Sequence, residues 1–132
     1  MKLQQATRCA LFAVFELARE PGRQVAAAEI ADAYGLSVNH LAKVLRELSR
    51  AKVIKSVRGA GGGYTLAANP KRLTLYDIIS RFEDIHPEET EETGGAATEG
   101  ARALQRVLSE IDAITQSTLK SISVATFLKL GR

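Results

Sequence analysis

The 132-residue chain has one cysteine, no tryptophan and three prolines, and aromatic residues make up only 5% of it. A single thiol cannot close an internal disulfide or build a Cys-rich metal framework, and this usage fits a reducing cytoplasm. No apolar run approaches the ~18–20 residues that cross a bilayer, so no membrane contact is expected. The opening MKLQQATRCALFAVFELARE has one early lysine, and Arg8, Glu16 and Arg19 interrupt its apolar stretch, which does not read as a secretory signal. Catalytic constellations are lacking too. Two histidines, one cysteine and acids crowded into one segment give no nucleophile–base or paired-carboxylate arrangement, so no enzymatic activity is expected.

What remains is an apolar fraction of 45% with 25% charged residues, the composition of one soluble domain with a small appended element. The net charge of +3 conceals an uneven distribution. Residues 82–101, FEDIHPEETEETGGAATEGA, carry seven acids and no Lys or Arg. Taking those seven from 15 leaves 8 acids against 18 bases, a net charge of +10. Residues 36–72 hold eight bases (Lys43, Arg46, Arg50, Lys52, Lys55, Arg58, Lys71 and Arg72) against the single acid Glu47. Such a block is either a solvated basic face or the footprint of nucleic-acid binding, in which cations at phosphates release condensed counterions.

Periodicity predicts a helix over Gln4–Arg19 with Leu3, Ala6, Ala10, Val14 and Leu17 inward and Leu11 and Ala18 widening the stripe. Pro21-Gly22 ends it. A short helix fits Ala26–Tyr34, with Ile30, Ala31 and Tyr34 inward and Gly35 beyond its C-terminus. Ser37 is the N-cap of a third helix over Val38–Ala51, whose buried stripe is Leu41, Val44, Leu45 and Leu48. Helix, short turn beginning at glycine, and helix make a helix-turn-helix. Lys52–Val57 and Tyr64–Leu66 then read as strands around RGAGGG, a wing. Thr74 caps a helix over Leu75–Phe82, and the acidic segment 83–98 is a loop. A long helix spans Glu99–Lys120, and Ser123 caps a short last helix containing Val124, Phe127 and Leu128.

The expected fold is therefore mainly α: a winged helix-turn-helix domain over 1–82, an acidic loop over 83–98, and a dimerisation helix with a tail over 99–132. Reading DNA requires polar side chains near the N-terminus of the helix that enters the major groove. Asn39 suits an adenine edge, whereas Ser37 and Lys43 suit bases or phosphates equally. His40 is a DNA contact, a packing residue or a ligand, but only Glu47, two turns away, offers it an acidic partner. Arg46, Arg50 and Lys55 suit phosphates, and Arg58 at the base of the wing suits a narrow minor groove. Gly59, Gly61 and Gly62, with Tyr64 after them, let a backbone approach the sugar–phosphate surface closely, or else form a floppy tip. A nucleotide-phosphate loop is excluded because no Gly-Lys-Ser/Thr follows the glycines. The stripe Leu104, Val107, Leu108, Ile111 and Ile114 on the long helix either closes the core of its own subunit or pairs about a two-fold axis. Pairing is favoured, because the winged domain has helices enough for its own core.

The opening MKLQQATRCAL, the stretch YGLSVNHLAKVLRELSRAKVI, the wing SVRGAGGGYTLAANP and LTLYDIISRFED together resemble the Rrf-two (BadM-type) family of bacterial winged-helix transcription regulators. The resemblance covers nearly the whole chain, and the wing is its most specific part. It implies a cytoplasmic homodimer, most often a repressor, that binds a palindromic operator in double-stranded DNA. Many such proteins hold an iron–sulfur cluster on three cysteines about six residues apart in the loop before the long helix and at its start. The matching positions here are Glu91, Ala97 and Ala103, and Arg106 and Arg8 stand where a fourth ligand is expected. No cofactor is therefore expected, either in a cluster-free member or in one whose cysteines have been replaced by alanine. Control then falls to a small effector or a regulatory protein docked on the acidic loop. Cys9 is a reactive thiol lowered by Arg8 or a buried structural residue. His86 with Glu83, Asp84 and Glu88 is a metal site or part of a solvated loop. The competing reading of the whole is a protein-interaction module that kept the wing and lost operator specificity.

Overall fold

The first helix, α1 (Gln5–Arg19), buries eight of its fifteen residues: Thr7, Cys9, Ala10, Leu11, Ala13, Val14, Leu17 and Ala18. No charge falls between Arg8 and Glu16, so this helix can serve as the central post of the domain, with four other helices packed on it. The computed structural model describes residues 1–59, 61–85 and 98–132. Among these, α2 (Ala27–Tyr34), α3 (Val38–Arg50) and α4 (Leu75–Ile79) surround α1, followed by α5 (Glu99–Lys120) and α6 (Val124–Leu130). No described helix is long and apolar enough to cross a membrane.

The helix-turn-helix is set by local chemistry. Gly35 takes φ +63, a left-handed turn that releases the chain from α2, and the Leu36 N–H donates to Ala31 O at 2.9 Å. Ser37 then caps α3, its Oγ accepting from the His40 N–H at 3.4 Å. Leu41, Val44, Leu45 and Leu48 all lie inward, as their spacing predicts. The Tyr34 ring stacks on Phe12 with centroids 4.6 Å apart, and its hydroxyl donates to Glu16 Oε1 at 2.8 Å. Burial and that hydrogen bond push the Tyr34 hydroxyl up to about 12. One aromatic pair and one charge-assisted bond thus fix α2 against α1.

At the end of α3 the chain departs from expectation. Lys52 adopts φ +61, with its N–H donating to Ser49 O at 3.0 Å and the Val53 N–H to Leu48 O at 3.1 Å. These two bonds make a Schellman closure. The first strand, β1, consequently runs over Ile54–Val57 instead of starting at Lys52. It pairs antiparallel with β2 (Gly63–Leu66), with Ile54 opposite Leu66 and Val57 opposite Gly63. The other edge of β2 is not free: Val25 and Tyr64 exchange two backbone hydrogen bonds of 2.9 Å. A side chain at Gly63 would place its Cβ 2.6 Å from Val25 O, so this crossing requires glycine.

The helix α4 begins with a capping box in which Thr74 and Asp77 satisfy each other's backbone N–H groups. It is shorter than Leu75–Phe82 because the next turns tighten, with the Arg81 N–H donating to Ile78 O and the Phe82 N–H to Ile79 O. Glu83 and Ile85, expected in a solvated loop, are anchored instead. The Glu83 carboxylate accepts from the Gln4 N–H at 2.6 Å and the Thr7 hydroxyl at 2.8 Å. Ile85 is buried, and its carbonyl accepts from Gln116 Nε2 on α5 at 2.9 Å. The tail also returns to the winged unit: Thr74 bridges Ser123, Val124 is fully buried, and Phe127 meets Phe15 edge-on at 5.3 Å. Residues 1–82 and the end of the chain therefore share one core, and α5 lies between them in sequence with only Leu119 buried.

Candidate nucleic-acid interface

Because α3 turns its leucine and valine stripe into the core, its opposite face is left to solvent. Ser37, Val38, Asn39, Ala42, Lys43, Arg46 and Arg50 are all exposed there. The wing continues the exposed set with Lys55, Arg58, Gly59, Gly61 and Gly62. Among the described residues, Lys43, Arg46, Lys55 and Arg58 have no carboxylate within ion-pair distance. Arg50 reaches Glu47 only at 3.9 Å with both side chains solvated, a weak pairing. Among the described residues these exposed bases are mostly unpaired, which suits an anion-binding surface.

The remaining sequence-predicted residues divide into three kinds. Asn39 is exposed on the first turn of α3, in reach of a partner. Ser37 is exposed too, but its oxygen serves as the α3 cap. His40 is half-buried, and its Nε2 is shielded from solvent and has no hydrogen-bond partner among the described residues, so in the single chain this nitrogen does not face outward. Tyr64 is likewise half-buried against the core, where it anchors the wing. At the wing tip, Gly59 and Gly61 have φ +121 and +76, and the Gly62 N–H closes the turn on Gly59 O at 2.9 Å. A Cβ at Gly62 would lie 2.8 Å from Val57 O, so the hairpin itself demands this glycine. Residue 60, between Gly59 and Gly61, lies outside the described residues.

The sequence reading did not single out Val38, which is 51% exposed on α3. Its signal was available, since Val38 falls outside the inward stripe of α3. Away from the basic face, α5 turns an apolar row to solvent: Leu104, Val107, Leu108, Ile111 and Ile114 stand 47–67% exposed along it.

Donor chemistry decides whether an iron–sulfur cluster fits. The only thiol, Cys9, is fully buried within α1, and burial pushes its pKa up despite Arg8 next to it. That corrects the alternative of a reactive thiolate. Arg8 lies 5.6 Å over the Phe12 ring, and Ala103 and Arg106 are exposed on α5. None of these supplies a thiolate or imidazole. Among the described residues no group of three His, Cys, Asp or Glu could hold a metal ion. Glu83, proposed as one carboxylate of such a site, is committed to α1, while His86, Glu88, Glu91 and Ala97 lie outside the described residues. The residues present do not fit a thiolate-held cluster.

A helix-turn-helix, a wing and exposed bases on both define a winged-helix DNA-binding regulator. Comparison with known proteins gives the family. A model of the Rrf2 (Rrf-two) family, described as iron-dependent transcriptional regulators, matches residues 3–129. The helix-turn-helix-type transcriptional regulator BadM of Rhodopseudomonas palustris is 54% identical over 130 residues, covering 98% of this chain and 83% of that protein. Among solved structures, CymR (YrzC), the global cysteine regulator of B. subtilis, matches with a TM-score of 0.84 and 29% identity over 98% of both chains. T. potens IscR matches with a TM-score of 0.75 and 26% identity over 100% of this chain and 89% of that one. The chain belongs to the Rrf2 family of transcriptional regulators, which is not a family of enzymes.

Proposed function

We propose that this regulator is a cytoplasmic homodimer that reads a palindromic operator, acts as a repressor, and does so without an iron–sulfur cluster. The observation that carries the reading is the set of exposed bases on α3 and the wing, of which Lys43, Arg46, Lys55 and Arg58 have no carboxylate partner among the described residues. In this assignment Asn39 and Arg58 contact bases. Lys43, Arg46, Arg50 and Lys55 neutralise phosphates, with the Ser37 hydroxyl and the backbone of Gly59, Gly61 and Gly62 beside the sugar–phosphate surface. His40 and Tyr64 support that face from within.

Two such faces require two chains. The stripe Leu104, Val107, Leu108, Ile111 and Ile114 favours a helix pair, since five large apolar side chains on one helix face are unfavourable in water. Positions 104, 107, 111 and 114 follow the alternating three- and four-residue spacing of a helix seam. Control by a small effector or a regulatory protein takes the place of the cluster in this reading.

The test is a binding titration with a duplex selected by the full chain from a random library, performed at several salt concentrations. A steep fall of affinity with salt, together with preference for the selected palindrome over scrambled sequence, is expected. Absence of both overturns the reading in favour of a protein-interaction module. Visible absorption and bound iron in an anaerobic preparation would overturn the cluster-free assignment.

A further inference from the structure

The solvent face of α3 is not uniformly polar. Val38 and Ala42 are both exposed and stand four residues apart, one above the other on the same side of the helix. Asn39, Lys43 and Arg46 flank them. Neither apolar residue belongs to the inward stripe, and Val38 directly follows the cap residue Ser37, at the end of the helix that leads into a groove. A β-branched side chain in a helix holds essentially one χ1 rotamer, and alanine has none to lose. The pair is therefore a small, rigid apolar strip set among hydrogen-bonding groups.

In the major groove only one group matches such a strip. Base edges there present donors, acceptors and flat C–H groups, and the thymine C5-methyl is the apolar group that projects from them. Resting on the DNA-binding reading above, we infer that Val38, backed by Ala42, selects thymine at one position of each half-site by burying its methyl group. Asn39, next to Val38 on the same turn, reads the adjacent base pair. Because the methyl is an absent or present group on an otherwise unchanged base, this contact discriminates thymine from uracil without any hydrogen bond, and it disfavours cytosine in the same way.

The experiment uses the full chain and a duplex it has selected from a random library. Each thymine of one half-site is replaced in turn by deoxyuridine, which removes only the methyl. Wild-type protein is expected to lose affinity roughly fourfold at one position, the equivalent of ~0.8 kcal/mol for a buried methyl-sized group. The Val38→Ala variant is expected to bind the thymine duplex several-fold more weakly and to be indifferent to deoxyuridine at that same position. Val38 is exposed and alanine is the better helix former, so the variant keeps its fold, which circular dichroism checks. If every thymine is replaceable without loss, or if Val38→Ala remains as sensitive as wild type, the assignment is overturned while DNA binding stands. If the chain selects no duplex at all, the DNA-binding reading fails and this one with it.

Discussion

The carboxylate of Glu83 accepts the backbone N–H of Gln4 at 2.6 Å across 79 positions of sequence. Gln4 is the N-cap of α1, a helix with no side-chain cap of its own. Glu83 thus supplies from a distance what the third residue of a capping box supplies locally, and it also satisfies the buried Thr7 hydroxyl. The Gln4 N–H and then the Thr7 hydroxyl hold the Glu83 carboxyl below its ordinary range. A depressed folded-state pKa stabilises the fold fully above the unfolded value and loses that contribution as pH falls through the folded one. Glu83→Gln is expected to cost about 1 kcal/mol at pH 7, less than a buried hydrogen bond to a charged group because this carboxylate is still partly solvated. Urea unfolding at pH 7 and at pH 4 measures it. The gap between wild type and variant should narrow at the lower pH, and a gap independent of pH would refute the role.

Lys52 provides a second, opposite test. Its φ of +61 is the left-handed conformation that closes α3, and no glycine is present to take it. Lys52→Gly is expected to stabilise the protein by about 0.5–1 kcal/mol, the relief of strain exceeding the entropy that glycine adds to the unfolded chain. Thermal unfolding under two-state conditions reports the sign directly. A destabilised variant would mean that the Lys52 side chain makes a contribution larger than its backbone strain.

Much of this was legible in sequence because it rests on neighbours. Ser37, Thr74 and Ser123 announce helix starts by capping chemistry, and the periodicity of Leu41, Val44, Leu45 and Leu48 fixes which side of α3 is inward. The α5 bounds Glu99–Lys120 follow in the same way. What escaped depends on residues far apart in the chain. Nothing local to Glu83 points to Gln4 and Thr7, so it read as one more acid in an acidic run. Val25 pairs with Tyr64 across 39 positions, and a single bridge leaves no strand pattern. The shielding of His40 Nε2 likewise depends on how α3 is seated, which the polar identity of histidine does not reveal. At the candidate interface the bases were legible as a block, whereas the lack of a carboxylate partner for Lys43, Arg46, Lys55 and Arg58 among the described residues required the folded arrangement.

The basic face should separate into two kinds of residue. Arg58→Ala is expected to weaken binding to the selected duplex by about 1–3 kcal/mol and to relax sequence preference where the wing sits. Lys43→Ala and Arg46→Ala should weaken binding to selected and scrambled duplexes alike, each reducing the salt slope by about one counterion. Titrations of all three variants at matched salt make the comparison. An Arg58 variant with unchanged affinity removes the wing from the interface; Lys43 and Arg46 variants with unchanged salt slopes remove α3 phosphate contacts.

The α5 stripe carries the last expectation. Ile111 is 52% exposed in the single chain and stands midway along the row from Leu104 to Ile114. In a helix pair it meets its own symmetry mate, or a neighbour of it, near the two-fold axis. Ile111→Glu then places two like charges in an apolar seam, a change in the class that costs several kcal/mol, since each charge is desolvated without a partner. The same change on a solvated helix of a monomer costs almost nothing, because a glutamate on an exposed face is an ordinary helix residue. Sedimentation equilibrium distinguishes the two: wild type is expected at twice the chain mass of 14.3 kDa and Ile111→Glu at the mass of one chain. Ile111 has no place in the core shared by α1 and α6, so the helical circular dichroism of the winged unit should persist. Operator affinity should fall when dimerisation is lost, because two recognition helices are then no longer held at a fixed spacing. A wild-type chain that sediments as a monomer at micromolar concentration would leave the stripe without its partner and would remove the two-fold reading of the operator with it.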